Sequence, residues 1–202
     1  MTTIRTTDLA IHRADADETA AVAATVAAAF FEDPVTQWLV PDLARRRALV
    51  QPLFEHYIEP FIALGATYLD AEGVGAAVWS PPGAELMGRI QLEAWEQALA
   101  ELAGPDIVRF AQLAEIFAEH HPEEPLYYLQ FLATVPAAQG QGIGSVFLRD
   151  MLGRADREQM PAYHEATTPR NRALYERHGY LTLGEFTLPD GPPLWRMWRE
   201  PS

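Results

Sequence analysis

One stretch limits the fold of this chain more than any other: Leu126-Tyr-Tyr-Leu-Gln-Phe-Leu-Ala-Thr-Val-Pro136, continuing as Ala-Ala-Gln139-Gly-Gln-Gly-Ile-Gly144-Ser145. Its apolar half reads as a strand that Pro136 ends. Three alternating glycines then open an amphipathic segment in which Ile143, Val146, Phe147, Met151, Leu152 and Ala155 share one helical face. A strand feeding a bare-backbone turn at a helix N-terminus makes a phosphate cradle. Exposed N–H groups and the positive end of the helix dipole converge there, and glycine admits a ligand close to the main chain. The ligand this predicts carries a pyrophosphate.

The rest of the chain reads as alternating short strands and helices. Ile4–Arg13 suits a first strand, Glu18–Phe31 a helix, and the segment opened by Pro41-Asp42 a longer helix whose apolar residues recur at three- and four-residue steps. Ala66–Asp70 and Val74–Trp79 read as a hairpin around Ala71-Glu-Gly73, and Glu85–Leu102 and Asp106–Glu119 as helices. Beyond the glycine loop, Pro161–Ala166 reads as a strand and Pro169–His178 as a helix closed by Gly179. Tyr180–Phe186 and Leu194–Arg199 complete a strand pair. The pattern is an α+β domain with a mixed central sheet between helices, and one domain over residues 1–202 fits the absence of a long linker.

Composition narrows the ligand. A net charge of −13 argues against nucleic acid, whose phosphates it would repel. Charges or prolines interrupt every apolar run before membrane-spanning length, and the N-terminus has neither the basic patch nor the apolar core of a secretory signal. With no cysteine, a disulfide scaffold, a thiolate nucleophile and a cysteine-ligated metal are excluded, which fits a cytoplasmic protein. His120 and His121 are adjacent in a proline-bounded linker without a third ligand nearby, so no metal is expected.

A P-loop needs a lysine after its second glycine, and this chain contains none. A dinucleotide fingerprint comes closer: Gly140, Gly142 and Ser145 nearly fit, with Glu165 about twenty residues on. Against it, only two predicted strands follow Glu165, too few to complete a doubly wound sheet.

Gln139-Gly-Gln-Gly142-Ile-Gly144 matches a third pattern: Gln or Arg, two residues, Gly, one residue, Gly or Ala. This is the pyrophosphate signature of the GNAT acetyltransferases. About thirty residues on, Pro169-Arg-Asn171-Arg-Ala-Leu-Tyr175-Glu-Arg-His-Gly179-Tyr180 resembles that family's second signature, a helix bearing Leu-Tyr-Glu and ending in Gly-aromatic. The stretches Ala27–Asp42, His121–Pro125, Glu165–Asn171 and Leu188–Met197 further resemble the puromycin N-acetyltransferase branch.

The resemblance implies the GNAT fold, in which the fourth and fifth strands splay apart. It also implies acetyl-CoA as cosubstrate and transfer of its acetyl group to the primary amine of a small molecule. That acceptor would be an aminonucleoside or another antibiotic-like amine, with antibiotic resistance as the context. Tyr175 would reprotonate the CoA thiolate, and Glu165 would take the proton from the amine, its alternative being a solvated strand-end carboxylate. Backbone of Leu132, Ala133 and Thr134 would hold the pantetheine arm and the oxyanion. The pyrophosphate would lie on Gln139, Gly140, Gln141, Gly142, Ile143, Gly144 and Ser145. Thr168 stands where the family usually has an asparagine on the cofactor, and Asn171 is the nearest asparagine. Glu32, Asp33, Trp38 and Tyr128 are candidates for the acceptor side, though Asp33 and Asp42 also suit helix caps. His164 is expected to face away from Glu165 across the sheet. Two other readings use the same cradle: a non-catalytic CoA-binding sensor, and a protein N-terminal acetyltransferase. The oligomeric state implied is a monomer or a homodimer.

Overall fold

The computed structural model describes residues 9–202. In chain order they form β1 (Ile11–Arg13), α1 (Thr19–Phe30), α2 (Pro34–Leu39), α3 (Leu43–Ile62), β2 (Thr67–Asp70), β3 (Gly75–Ser80), α4 (Arg89–Ala103) and α5 (Ile107–His120). There follow β4 (Tyr127–Thr134), α6 (Ile143–Glu158), β5 (Ala162–Ala166), α7 (Pro169–Glu176), β6 (Leu181–Thr187) and β7 (Pro193–Arg199). The expected first strand survives as β1; its part before residue 9 lies outside the described residues. The short helix α2 was not expected as a separate element. Asp33 at its N-cap and Pro34 at its first position explain it.

The strands form one sheet in the order β1-β2-β3-β4-β5-β7-β6, antiparallel throughout except between β4 and β5. On one face α6 and α7 bury Phe147, Leu148, Met151 and Tyr175 against Leu129 and Met197. On the other, α1 and α3 bury Val22, Val26, Ile58 and Phe61 against Leu69, Val78 and Ala133. Such continuous apolar burial on both faces drives the fold. It also carries α3 through Pro52 and Pro60, each of which removes one helical hydrogen bond.

Two irregularities in β4 create room for a site. Val78 pairs with Phe131 but Trp79 pairs with Leu129, so Gln130 is an extra residue and β4 bulges there. The bulge reverses the facing of the strand. Tyr127 and Leu129 pack with α6, whereas Phe131 and Ala133 pack with α1 and α3. Immediately before the bulge, β4 and β5 pair only at Tyr127–Ala162 and Tyr128–Tyr163, and beyond that they part.

Candidate active site

The glycine loop takes the conformation that its sequence demands. Gly140 and Gly142 have φ of 78° and 84°, a region that residues with a Cβ rarely enter. Gly142 is the N-cap of α6 and has no side chain to accept from the first-turn amides, which are left for a ligand. Gln139 ties the loop together, donating from Nε2 to the Thr134 carbonyl at 3.2 Å and accepting from Arg170 at 3.1 Å.

These groups border a cavity of about 290 Å³ that also meets Leu132, Ser145, Asn171, Arg170 and Arg177. A second cavity of about 600 Å³ lies between α2, α3, α5 and the parted ends of β4 and β5. Phe30, Asp33, Asn171 and Tyr175 line both, so the two spaces meet at these side chains.

At the junction Tyr175 is buried, and burial pushes its phenol well above the usual range, so it holds its proton at neutral pH. Glu165 is 3% exposed and borders the larger cavity. Its Oε2 accepts from the Tyr128 hydroxyl at 2.6 Å, while its Oε1 is buried without a partner. Burial raises the carboxyl to about 7, the Tyr128 hydrogen bond offsetting part of the effect. Asp33 caps α2 through the Val35 amide at 2.9 Å and accepts from the Thr167 hydroxyl. Burial raises its pKa as well.

His164 faces away from Glu165, towards Tyr175 of α7 while Glu165 turns to Tyr128, yet it still reaches the site. Because β4 has left its pairing partner, the imidazole enters the gap, donates to the Leu129 carbonyl at 2.7 Å and packs on the Tyr175 ring at 4.5 Å. It borders the same cavity as Glu165.

Other expected site residues are placed differently. Glu32 is exposed, is bonded to Gln37 one turn on, and lines neither cavity. Trp38 is buried away from both, its Nε1 donating to the Pro189 carbonyl at 2.8 Å, so it holds the β6–β7 loop against α2. Thr168 caps α7, accepting from the Asn171 amide at 3.1 Å, and does not line the smaller cavity. The Ala133 side chain is in the core, which leaves only its backbone for a ligand. Tyr128 does line the larger cavity, while Tyr127 turns away and bonds Glu158. Arg170 and Arg177 fall inside the Tyr175 signature and Phe30 inside the Ala27–Asp42 stretch, but no sequence pattern marks any of the three as a site residue. Asp42 is a cap, accepting from the Arg45 amide at 2.8 Å.

Comparison with known proteins agrees with this architecture. The family model described as "Acetyltransferase (GNAT) domain" matches residues 93–181, from α4 through α7 to the start of β6. An N-acetyltransferase of Schizosaccharomyces pombe, described as uncharacterized, is 24% identical over 211 residues, covering 96% of this chain and 84% of that protein. A solved structure from Corynebacterium glutamicum, described as histone acetyltransferase HPA2 and related acetyltransferase, is 28% identical with a TM-score of 0.73, covering 96% and 97% of the two chains. A polyamine N-acetyltransferase of Drosophila melanogaster shares the fold at 15% identity and a TM-score of 0.59, covering 96% and 100%. The seven-stranded sheet with its parted β4 and β5 is thus the GNAT fold. Residues 93–181 match the GNAT acetyltransferase domain model, and the chain is an enzyme, an acyltransferase.

Proposed function

We propose that the chain transfers an acetyl group from acetyl-CoA to the primary amine of a small molecule by direct attack on the thioester. The observation that carries this reading is the meeting of the two cavities at Tyr175. The smaller one offers what a CoA pyrophosphate needs: orphan amides at the start of α6, glycines without a Cβ to obstruct it, and the cations Arg170 and Arg177. The larger one is lined by acids and apolar groups suited to an amine. Reaction then occurs where they join.

Each chemical demand has a residue. Glu165, with a carboxyl near 7, takes the proton that the arriving ammonium must lose, and its unpartnered Oε1 is the acceptor. Tyr175, protonated at all working pH, supplies the proton that the departing thiolate requires. The β5-facing edge of β4 beyond Tyr128 has no strand partner, which leaves backbone donors there for the charge that develops on the carbonyl oxygen. The puromycin-like stretches make an aminonucleoside one acceptor to include, and a cysteine-free chain suits the cytoplasm.

Release of free thiol from acetyl-CoA against a panel of primary amines tests the reading. Tyr175→Phe is expected to lower kcat by about a hundredfold or more while the Kd for CoA stays within about threefold. Tight CoA binding with no release on any amine favours the sensor reading instead.

A further inference from the structure

The charges of the two cavities are segregated. Arginines border the smaller one, Arg170 and Arg177. Among the described residues the larger one meets no arginine, and the chain has no lysine; its acids are Asp33, Glu123 and Glu165. The two histidines that border it, His121 and His164, are both lowered by burial and stay neutral at pH 7.

The acids are also confined to one side. Glu165 is on β5, Asp33 is held by Thr167 at the end of the same strand, and Glu123 lies in the lead-in to β4. The opposing wall, from α3 and α5, is apolar apart from the phenol of Tyr57: Val50, Leu53, Phe54, Phe110, Leu113 and Phe117. Phe54 forms a compact aromatic cluster with Phe30 and Phe131, its ring centroid 5.7 Å and 5.3 Å from theirs.

We propose that the acceptor is an apolar primary monoamine, an arylalkyl- or alkylamine without a carboxylate or a second ammonium. It binds with its nitrogen at the Asp33–Glu165 side and its body against α3 and α5. This rests on the N-acetyltransferase reading and narrows it.

Three classes of amine are excluded by the same walls. The carboxylate of an amino acid meets two buried acids and no cation to pair with it. The second ammonium of a polyamine is driven against Val50, Leu53 and Leu113, where no acid and only the Tyr57 phenol stands to replace its water. The hydroxyls of an amino sugar go unsatisfied against the same surface. An aromatic or branched apolar body instead gains from burial, and a volume of about 600 Å³ accommodates one of drug-like size. The orphan Oε1 of Glu165 gains the N–H donor it lacks.

The test compares kcat/KM of the full chain with acetyl-CoA for matched amines: 2-phenylethylamine and hexylamine, against phenylalanine, putrescine, agmatine and glucosamine. The expected result is a preference of about tenfold or more for the first two over every other compound. Leu113→Asp, which places an acid on the half-buried apolar wall, is expected to shrink the ratio of phenylethylamine to putrescine by about tenfold, with CoA affinity unchanged as the check on folding. Putrescine, agmatine or glucosamine turned over as well as phenylethylamine overturns the monoamine assignment and leaves the acetyltransferase reading standing. So does phenylalanine used as well as its decarboxylated analogue. If Leu113→Asp does not fold, the wild-type ranking decides alone. Thiol release with none of the amines, despite CoA binding, overturns both readings.

Discussion

The Nδ1–H of His164 donates to the carbonyl of Leu129 at 2.7 Å, across the point where β4 and β5 part. Regular parallel pairing would satisfy that carbonyl from the β5 backbone; the imidazole takes its place. A carbonyl only accepts, so the ring carries its proton on Nδ1. Burial holds its pKa down at about 4, so it is neutral at pH 7.

The consequence for stability follows from linkage. The folded pKa lies below the ordinary value of 6.5, so the native state binds fewer protons than the unfolded chain as pH falls. Stability therefore declines as pH drops through about 6.5 and stops declining from this cause near 4. His164→Ala is expected to remove that slope, to leave the Leu129 carbonyl orphaned and to cost about 1–3 kcal/mol at pH 7.5. Denaturant midpoints at pH 7.5 and 5.5 for both proteins check it; an unchanged slope assigns the acid sensitivity elsewhere.

The carboxyl of Glu165 governs activity, and its raised pKa also makes stability fall as pH rises from the ordinary carboxylate value towards 7. With its pKa raised to about 7 and the ionised form acting as base, kcat/KM is expected to rise with pH through about 7 and then level off. Glu165→Gln should lower kcat/KM by about a hundredfold or more and abolish that limb. A full-activity glutamine variant with the same pH profile would transfer the role to water or to Asp33.

Two glycines predict opposite outcomes. A Cβ on Gly75 would lie 2.6 Å from Phe147 and 2.8 Å from Ile143, which are the first turns of α6. Gly75→Ala is expected to cost about 1–3 kcal/mol by overpacking and to weaken CoA binding severalfold, because the loop amides shift with the helix. Gly153, inside the same helix, would meet only the flexible end of Arg157 at 3.6 Å. Gly153→Ala is expected to stabilise by about 0.5–1 kcal/mol through helix propensity and leave CoA affinity alone. Thermal melts and CoA titrations read both.

Asp156 accepts two hydrogen bonds from Arg199, at 2.7 Å and 2.9 Å, and one from the Ser202 amide at 2.9 Å. Arg199 above all holds the carboxyl well below the usual range. A depressed folded pKa means stability that is present above the unfolded value near 3.8 and is lost as pH falls through the folded one. Asp156→Asn is expected to cost about 1–3 kcal/mol at pH 7 and much less near pH 2. Equal losses at both pH values would show that charge plays no part in the clamp joining α6 to Arg199 and Ser202.

The loop glycines and Tyr175 were legible because each obeys a local rule. Positive φ at Gly140 and Gly142 calls for glycine wherever the rest of the chain lies, and the Tyr175 helix carries its own signature. Most elements were legible too, since the sheet and helices follow apolar periodicity, even through the two prolines of α3. Glu32 and Trp38 were misplaced for the opposite reason. Trp38 finds its partner at Pro189, which no periodicity connects to it, and Glu32 turns to Gln37 and solvent. Thr168, which the motif places towards the cofactor, caps α7.

By itself, then, the sequence determined the strand–loop–helix cradle, the α+β layering and the tyrosine helix, because these depend on φ, periodicity and capping within a few residues. Tertiary structure alone decided that β4 bulges at Gln130 and parts from β5, that His164 fills the gap, and that Asp33 and Glu165 share a buried acidic wall facing the largely apolar wall of α3 and α5. Those features arise from contacts between segments far apart in the chain, where burial rather than neighbouring residues sets each group's charge and orientation.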